Sequence, residues 1–339
     1  MSGVETDSPE RDGTLFTRAR KLTLTLTALV YLLGAGAVYA LIDKATLTTA
    51  LSLPVSIVAI LLGLSMLNYV VRAWRWLVLS RFLELRVPLR NNVLYYLSGY
   101  CFTATPGKAG EAVRLWFMKS GHDVPYARSL PLMLADRVID MWAVLILTLA
   151  SFAGFAAYLW QGALLAAIVA LLSLPILFPQ WLEPLIRLAS RLAPGRPRLA
   201  DRARAVLASM SELSNWRTYG LTLVPSIAGW LAEGVALYML LLHFGAPVSL
   251  PNAVFVFSFG MIVGAISMLP GGLGSTEATI VILLKALGVE LNTALAATAI
   301  IRITTFWFAV AIGVLLMPAA VNAAKRAARG LPIVNRGIA

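Results

Sequence analysis

Two short motifs carry the residue types that can hold an anion inside a membrane: Pro106-Gly107-Lys108-Ala109-Gly110-Glu111 and Pro270-Gly271-Gly272-Leu273-Gly274-Ser275-Thr276-Glu277. Each interrupts an apolar stretch, and one lies in each half of the chain. Pro106 and Pro270 fix the breaks, while Gly107, Gly110, Gly271, Gly272 and Gly274 permit positive φ and close approach of backbone to a ligand. A half-helix that starts at such a break turns unpaired N–H groups and its positive dipole end into the cavity, which suits a phosphate. The exit half-helices are expected to begin near Gly110 and Ser275. Glu111 and Glu277 then fall in first turns, where a carboxylate offsets the dipole or holds an amine or a sugar hydroxyl. Lys108, Arg114, Arg137 and Arg302 are the candidate cationic contacts to a headgroup phosphate, with Thr276 beside them.

Ionisable residues at membrane depth are functional candidates by default, and each also needs a partner. Arg137 and Arg302 either meet the ligand or pair with Asp136, Asp140 or Glu233, and the two roles can coexist. Asp136 and Asp140, spaced i, i+4, could instead hold a divalent metal in a transferase. The chain offers no His cluster, nucleophile motif or nucleotide loop beside them, so neither metal nor cofactor is expected.

The elements that position these residues follow from composition. Across 339 residues, 59% are hydrophobic and 13% charged, with a mean hydropathy of +0.81. These values describe an all-α polytopic membrane protein. The net charge of +12 sits in short segments between apolar runs, where it orients the chain in the bilayer, and a nucleic-acid partner is rejected on that ground. Spans are expected at Leu22–Ile42, Leu53–Val71, two within Met141–Leu182 joined at Trp160-Gln161-Gly162, Tyr219–His243 carrying Glu233, and Thr293–Met317 carrying Arg302. Arg72 and Arg75, interleaved with Trp74 and Trp76, read as interfacial anchors. Cys101, the sole cysteine, reads as a small packed group, and His122 and His243 as loop residues.

Segments 92–119 and 252–287 decide the topology. Four basic residues precede Leu22, seven lie in Trp181–Arg217 and four follow Met317, whereas the loops expected on the opposite side carry only Lys44. Placing the basic regions on the cytoplasmic side forces both segments to return to the face they entered. Each is therefore expected to be a re-entrant hairpin of two half-helices. At 1.5 Å per residue, arms of about 10–13 residues reach roughly 15–20 Å, half of a core about 30 Å thick. Pro106 precedes Arg137 by 31 residues and Pro270 precedes Arg302 by 32, a correspondence expected of an inverted repeat. The organisation is then a tail 1–21, a first repeat 22–158, a second repeat 159–317 with a basic amphipathic segment 183–217 suited to anionic lipid, and a basic tail 318–339. Matched breaks in two halves are the sequence mark of a transporter's binding site.

Pro106–Arg114, Ala135-Asp136-Arg137-Val138-Ile139-Asp140 and Pro270–Ala278 resemble the motifs of the lysylphosphatidylglycerol synthase transmembrane, flippase-like family, over Lys21 to Met317. The resemblance implies a bacterial cytoplasmic-membrane protein, with both termini cytoplasmic, that moves a phosphate-containing lipid between leaflets. The resemblance leaves the headgroup open, aminoacylated and glycosylated lipids both being compatible with it. The family includes the flippase half of the multiple peptide resistance factor, which moves aminoacylated phosphatidylglycerol. This chain has no room for that factor's cytosolic aminoacyl transferase domain. A transporter rather than an enzyme is the leading expectation. A membrane headgroup transferase and a non-catalytic partner of lipid-glycan enzymes are the alternatives.

Overall fold

The computed structural model describes residues 53–105, 110–151, 164, 167–171, 173–174, 177–192 and 197–330, and among these no residue is in a strand. The expected span Leu22–Ile42, the turn at Trp160–Gly162 and the tip residues Pro106 to Ala109 lie outside the described residues.

Helix α1 (Val55–Phe82) starts at Pro54, whose extended backbone (φ −57°, ψ 140°) cannot continue a helix backwards. Its 28 residues rise about 42 Å and carry it well past Val71. Arg72 and Arg75 therefore lie within the helix. They are buried, 6% and 0% exposed, so the interfacial-anchor reading of these two residues is corrected. The physical reason is a pair of carboxylates on a neighbouring helix, described below.

The first fold-back segment runs as α2 (Leu89–Ser98), a 3-10 turn at Gly99–Phe102 and α3 (Val113–His122). Helix α4 (Tyr126–Ala150) follows and carries Asp136, Arg137 and Asp140. Two helices, α5 (Glu183–Leu192) and α6 (Pro197–Leu213), occupy the basic segment. Leu207, Met210 and Leu213 of α6 are buried, and α6 packs on α4. Helix α7 (Trp216–His243) is capped by Asn215, whose side chain accepts from the Thr218 amide at 2.8 Å.

The second fold-back segment comprises α8 (Leu250–Ile266), a 3-10 turn at Pro270–Gly272 and α9 (Ser275–Ala286). The last helix begins as α10 (Leu291–Arg302), passes through a π turn at Ile303–Trp307 and ends as α11 (Phe308–Ala328). By length and composition, three helices among the described residues are long and apolar enough to cross a membrane: Val55–Phe82, Trp216–His243 and Leu291–Ala328.

The chain turns back at Pro270–Gly272, and α2 and α3 pack on one another on either side of the first motif, whose tip lies outside the described residues. Helices α8 and α9 pack so closely that a Cβ on Gly264 would sit 2.0 Å from Thr276 Oγ1. Helix α8, at 17 residues, is longer than the arm expected from sequence. The packing is reciprocal. Helix α1 lies against α7, the first fold-back segment against α11, and α8 of the second against α4. Two apolar clusters result. One joins α4, α7, α8, α9 and α10 with Leu61 of α1, and the other joins α1, α2, α3 and α11 with Leu132, Ala135 and Ile139 of α4. Polar side chains collect where the clusters abut.

Candidate functional site

Two buried arginines on α1 meet two carboxylates on α4. Arg75 donates from Nε to Asp136 Oδ1 at 2.9 Å and from Nη1 to Asp140 Oδ1 at 2.7 Å. Arg72 Nη2 lies 2.8 Å from Asp140 Oδ2. The i, i+3 guanidinium pair thus matches the i, i+4 carboxylate pair, and Trp230 Nε1 on α7 completes Asp140 with a 3.0 Å hydrogen bond. Asp136 is fully buried. Its Oδ1 takes two hydrogen bonds from Arg75, whereas Oδ2 has no hydrogen-bond partner. Asp136 and Asp140 hold guanidinium groups, and no three His, Cys, Asp or Glu side chains converge among the described residues.

Each fold-back segment contributes a glutamate that pairs with an arginine on the following long helix: Glu277 lies in the first turn of α9, whereas Glu111 lies in a 3-10 stretch just before α3 rather than in its first turn. Glu111 is buried. It accepts from Thr103 Oγ1 at 3.1 Å, lies 2.9 Å from Arg114 Nη1 and pairs with Arg137 Nη2. Glu277 accepts from the Gly274 amide at 2.6 Å and from Arg302 Nε at 2.5 Å. Its first bond caps α9 and offsets the dipole there, as the sequence implies. Arg302 also donates to the Gly271 carbonyl at 3.2 Å, so it ties the turn as well as the helix. Arg137 and Arg302 find Glu111 and Glu277 rather than Asp136, Asp140 or Glu233 as ion-pair partners.

The two turns meet. Gly271, at φ +62°, is so close to the first segment and the π turn that an added Cβ would lie 3.4 Å from Ala104 Cα and 2.5 Å from Phe306 Cζ. Ala104, Phe306 and Val310 form a small apolar cluster with Leu273 at this junction. Gly272 and Gly274 also take positive φ, 66° and 86°. Ser275 Oγ is 2.8 Å from Ser267 Oγ, a contact that closes the base of the second turn.

Two cavities flank the junction. One of about 200 Å³ is lined by Arg137 and Asp140 of α4, Trp230 of α7, and Gly271, Gly272 and Thr276 of the second segment. A smaller one of about 50 Å³ is lined by Asn68 and Arg72 of α1, Thr103 and Glu111 of the first segment, Glu233 of α7 and Arg302. Trp230 and Met261 border both. Of the arginines lining these two cavities, Arg137 is the most exposed, with 26% of its side chain accessible against 7% for Arg72 and 5% for Arg302. The larger cavity can therefore receive an anionic group at Arg137 and the glycine backbone, with apolar walls for attached chains.

Arg114 lies elsewhere. Fully buried, it donates from Nε to the Tyr96 carbonyl at 3.0 Å and sits 4.1 Å over the Tyr96 ring, lining neither of these cavities. Glu233 accepts from Asn68 Nδ2 at 3.0 Å and Ser65 Oγ at 3.1 Å. Cys101 is buried against α11, where a Cβ on Gly313 would fall 2.2 Å from its amide nitrogen. His122 is half-buried beside Tyr95, whose hydroxyl is 3.3 Å from Nε2.

Sequence reasoning missed Arg72 and Arg75 as core residues, Ser65 and Asn68 as partners of Glu233, Trp230 as the shared wall, and Met268. Met268 lines the larger cavity and holds φ +54°, a strained value for a bulky side chain. A signal existed for the α1 residues: Ser65, Asn68, Arg72 and Arg75 recur at three- and four-residue intervals and form one polar stripe on an apolar helix. The π turn at Ile303–Trp307 had none.

The fold and the buried charges define a multi-pass helical membrane protein. Residues 21–313 match the family described as the lysylphosphatidylglycerol synthase transmembrane region, and the chain belongs to that family. It is similar to a UPF0104 membrane protein of Methanothermobacter thermautotrophicus, 25% identical over 272 residues, covering 72% of this chain and 79% of the relative. A UPF0104 membrane protein of Pyrococcus horikoshii is 23% identical over 239 residues, covering 63% and 71% respectively.

Proposed function

We propose that this protein moves a phosphate-containing lipid between the leaflets of the cytoplasmic membrane, as a transporter rather than an enzyme, with both termini on the cytoplasmic side. The observation that carries the reading is the pair of corresponding ion pairs, Glu111 with Arg137 and Glu277 with Arg302, on fold-back segments whose turns touch at Ala104 and Gly271. Reciprocal packing of each segment on the long helix of the other half supports an inverted repeat, in which one repeat rocks against the other around a fixed central site.

The lipid phosphate competes with a glutamate for its arginine. A phosphodiester entering the larger cavity meets Arg137 and takes the place of Glu111 on its guanidinium, while Glu111 keeps Arg114, so no charged group is left unpaired as the contact between the first fold-back segment and α4 is exchanged. Glu111 or Glu277, once released, can hold an amine or hydroxyl of the headgroup. Aminoacylated and glycosylated lipids fit this description. The basic helices α5 and α6 lie against anionic lipid.

The test is lipid translocation in proteoliposomes across labelled aminoacyl lipids, phospholipids and polyprenyl-phosphate sugars. Faster leaflet exchange of one class than in protein-free vesicles, lost in Arg137→Glu, is the expected result. Exchange at the protein-free rate for every class would overturn the reading, and turnover of the headgroup would replace it with a transferase.

A further inference from the structure

Glu233 stands apart among the charged groups of the core. It is 2% exposed, yet among the described residues no arginine or lysine lies within ion-pair distance of it. Both carboxyl oxygens rest on neutral groups, Ser65 Oγ and Asn68 Nδ2. Glu111, Asp136, Asp140 and Glu277 each hold at least one guanidinium. A carboxyl group removed from water needs its partners to match its charge, and both partners here are neutral hydrogen-bonding groups.

A second observation points the same way. Asn68 Oδ1 is buried with no hydrogen-bond partner. Which end of an amide faces its neighbour is assigned rather than seen. With the Asn68 amide turned over, Oδ1 faces Glu233 and accepts the hydrogen of a neutral carboxylic acid. The two amide orientations thus correspond to the two protonation states of Glu233.

We propose that Glu233 is an exchangeable proton site whose occupancy is linked to the charge balance of the central cavities. The groups that face it are Tyr69 and Arg72 from α1, Tyr100 and Glu111 from the first fold-back segment, and Arg302 from α10, while α8 presents only Phe257 and Met261. Across the described core, five guanidinium groups (Arg72, Arg75, Arg114, Arg137 and Arg302) face four ion-paired carboxylates. With Glu233 protonated, one positive charge is left over, which matches a singly charged phosphodiester. With Glu233 ionised the cluster is neutral. Proton binding and anion binding therefore favour each other, and the linkage is reciprocal. On release, the carboxylic O–H bond breaks, the proton passes to cavity water and the carboxylate remains under the field of Arg72 and Arg302.

Infrared difference spectroscopy on the full chain in lipid nanodiscs tests this without any lipid movement, so its failure is separable from failure of the transport reading. The expected result is a carbonyl stretch of a protonated carboxylic acid at neutral pH that disappears on alkaline titration and is missing in Glu233→Gln. Ser65→Ala should shift the band by removing one hydrogen bond, which identifies the group even if the Gln variant does not fold. Glu277→Gln leaves Arg302 without its carboxylate and should release the proton, weakening the band at the same pH. Absence of the band in the wild type from acid to alkaline pH overturns the proposal. So does a band that sodium removes and choline restores, or one indifferent to Glu277→Gln.

Discussion

Glu277 receives Arg302 Nε at 2.5 Å on one oxygen and the Gly274 amide at 2.6 Å on the other. A single carboxylate therefore fastens the start of α9 to the end of α10, directly before the π turn. π turns inside α-helices recur at functional sites. Here the turn also presents the Thr305 carbonyl to the Tyr69 hydroxyl of α1, so Arg302 sits at a joint between three elements. Reversing its charge places Glu against Glu277 and removes the hold on the Gly271 carbonyl. Arg302→Glu, like Arg137→Glu in the other half, should lower lipid exchange in proteoliposomes by at least about tenfold, or ~1.4 kcal/mol. Arg217→Lys, at an exposed position, should exchange lipid at the wild-type rate.

The four-membered cluster of Arg72, Arg75, Asp136 and Asp140 is predicted to serve stability first. Asp136 is fully buried, and both Nε and Nη2 of Arg75 donate to its Oδ1. Asp136→Asn leaves a buried guanidinium with only Asp140 and Ser226. Breaking one side of a buried pair removes about 3–5 kcal/mol, and thermal unfolding in detergent should show a lower Tm. Arg75→Met combined with Asp136→Leu should recover part of that loss, because no charge is then stranded. An unchanged Tm in Asp136→Asn would mean the pair contributes nothing to the fold.

Side preference of the fold-back segments is testable in a Cys101→Ser background with single cysteines at exposed positions. Arg90→Cys and Ser120→Cys mark the two ends of the first segment, Pro247→Cys and Glu290→Cys those of the second. The basic-residue distribution predicts that the first two react with an impermeant maleimide in inverted vesicles and the second two in intact cells. Opposite sides within either couple would show that segment to cross once.

The reversal at Pro270 was readable because glycine and proline leave few alternatives in hydrocarbon, and the break stands out against apolar flanks. The corresponding arginines were readable from spacing alone. Their partners were not: Arg137 could meet carboxylates on its own helix or on the fold-back segment, and only the tertiary approach of Glu111 decides. Arg72 and Arg75 were misread because arginine beside tryptophan is the composition of a headgroup interface. The buried carboxylates Asp136 and Asp140, 61 and 65 residues away in sequence from Arg75, make the interior more favourable. The polar stripe through Ser65 and Asn68 shows that helical periodicity of polar residues is the better guide than neighbouring residue types when an apolar helix carries charge.

Gly313 and Cys101 supply the last prediction. Helix α11 crosses the 3-10 turn of the first fold-back segment so closely that a methyl group on Gly313 would sit 2.2 Å from the Cys101 amide nitrogen and 2.7 Å from the Tyr100 carbonyl carbon. Both obstacles are backbone, so no side-chain rotation relieves the clash and the helix must withdraw. Overpacking of this kind typically removes about 1–3 kcal/mol. Cys101 is 7% exposed, which predicts slow reaction with a maleimide in the native protein. Gly313→Ala should lower the Tm and accelerate labelling of this sole cysteine, because the same displacement that relieves the clash uncovers the thiol. Slower unfolding or unchanged labelling in that variant would show that α11 does not clamp the first fold-back segment.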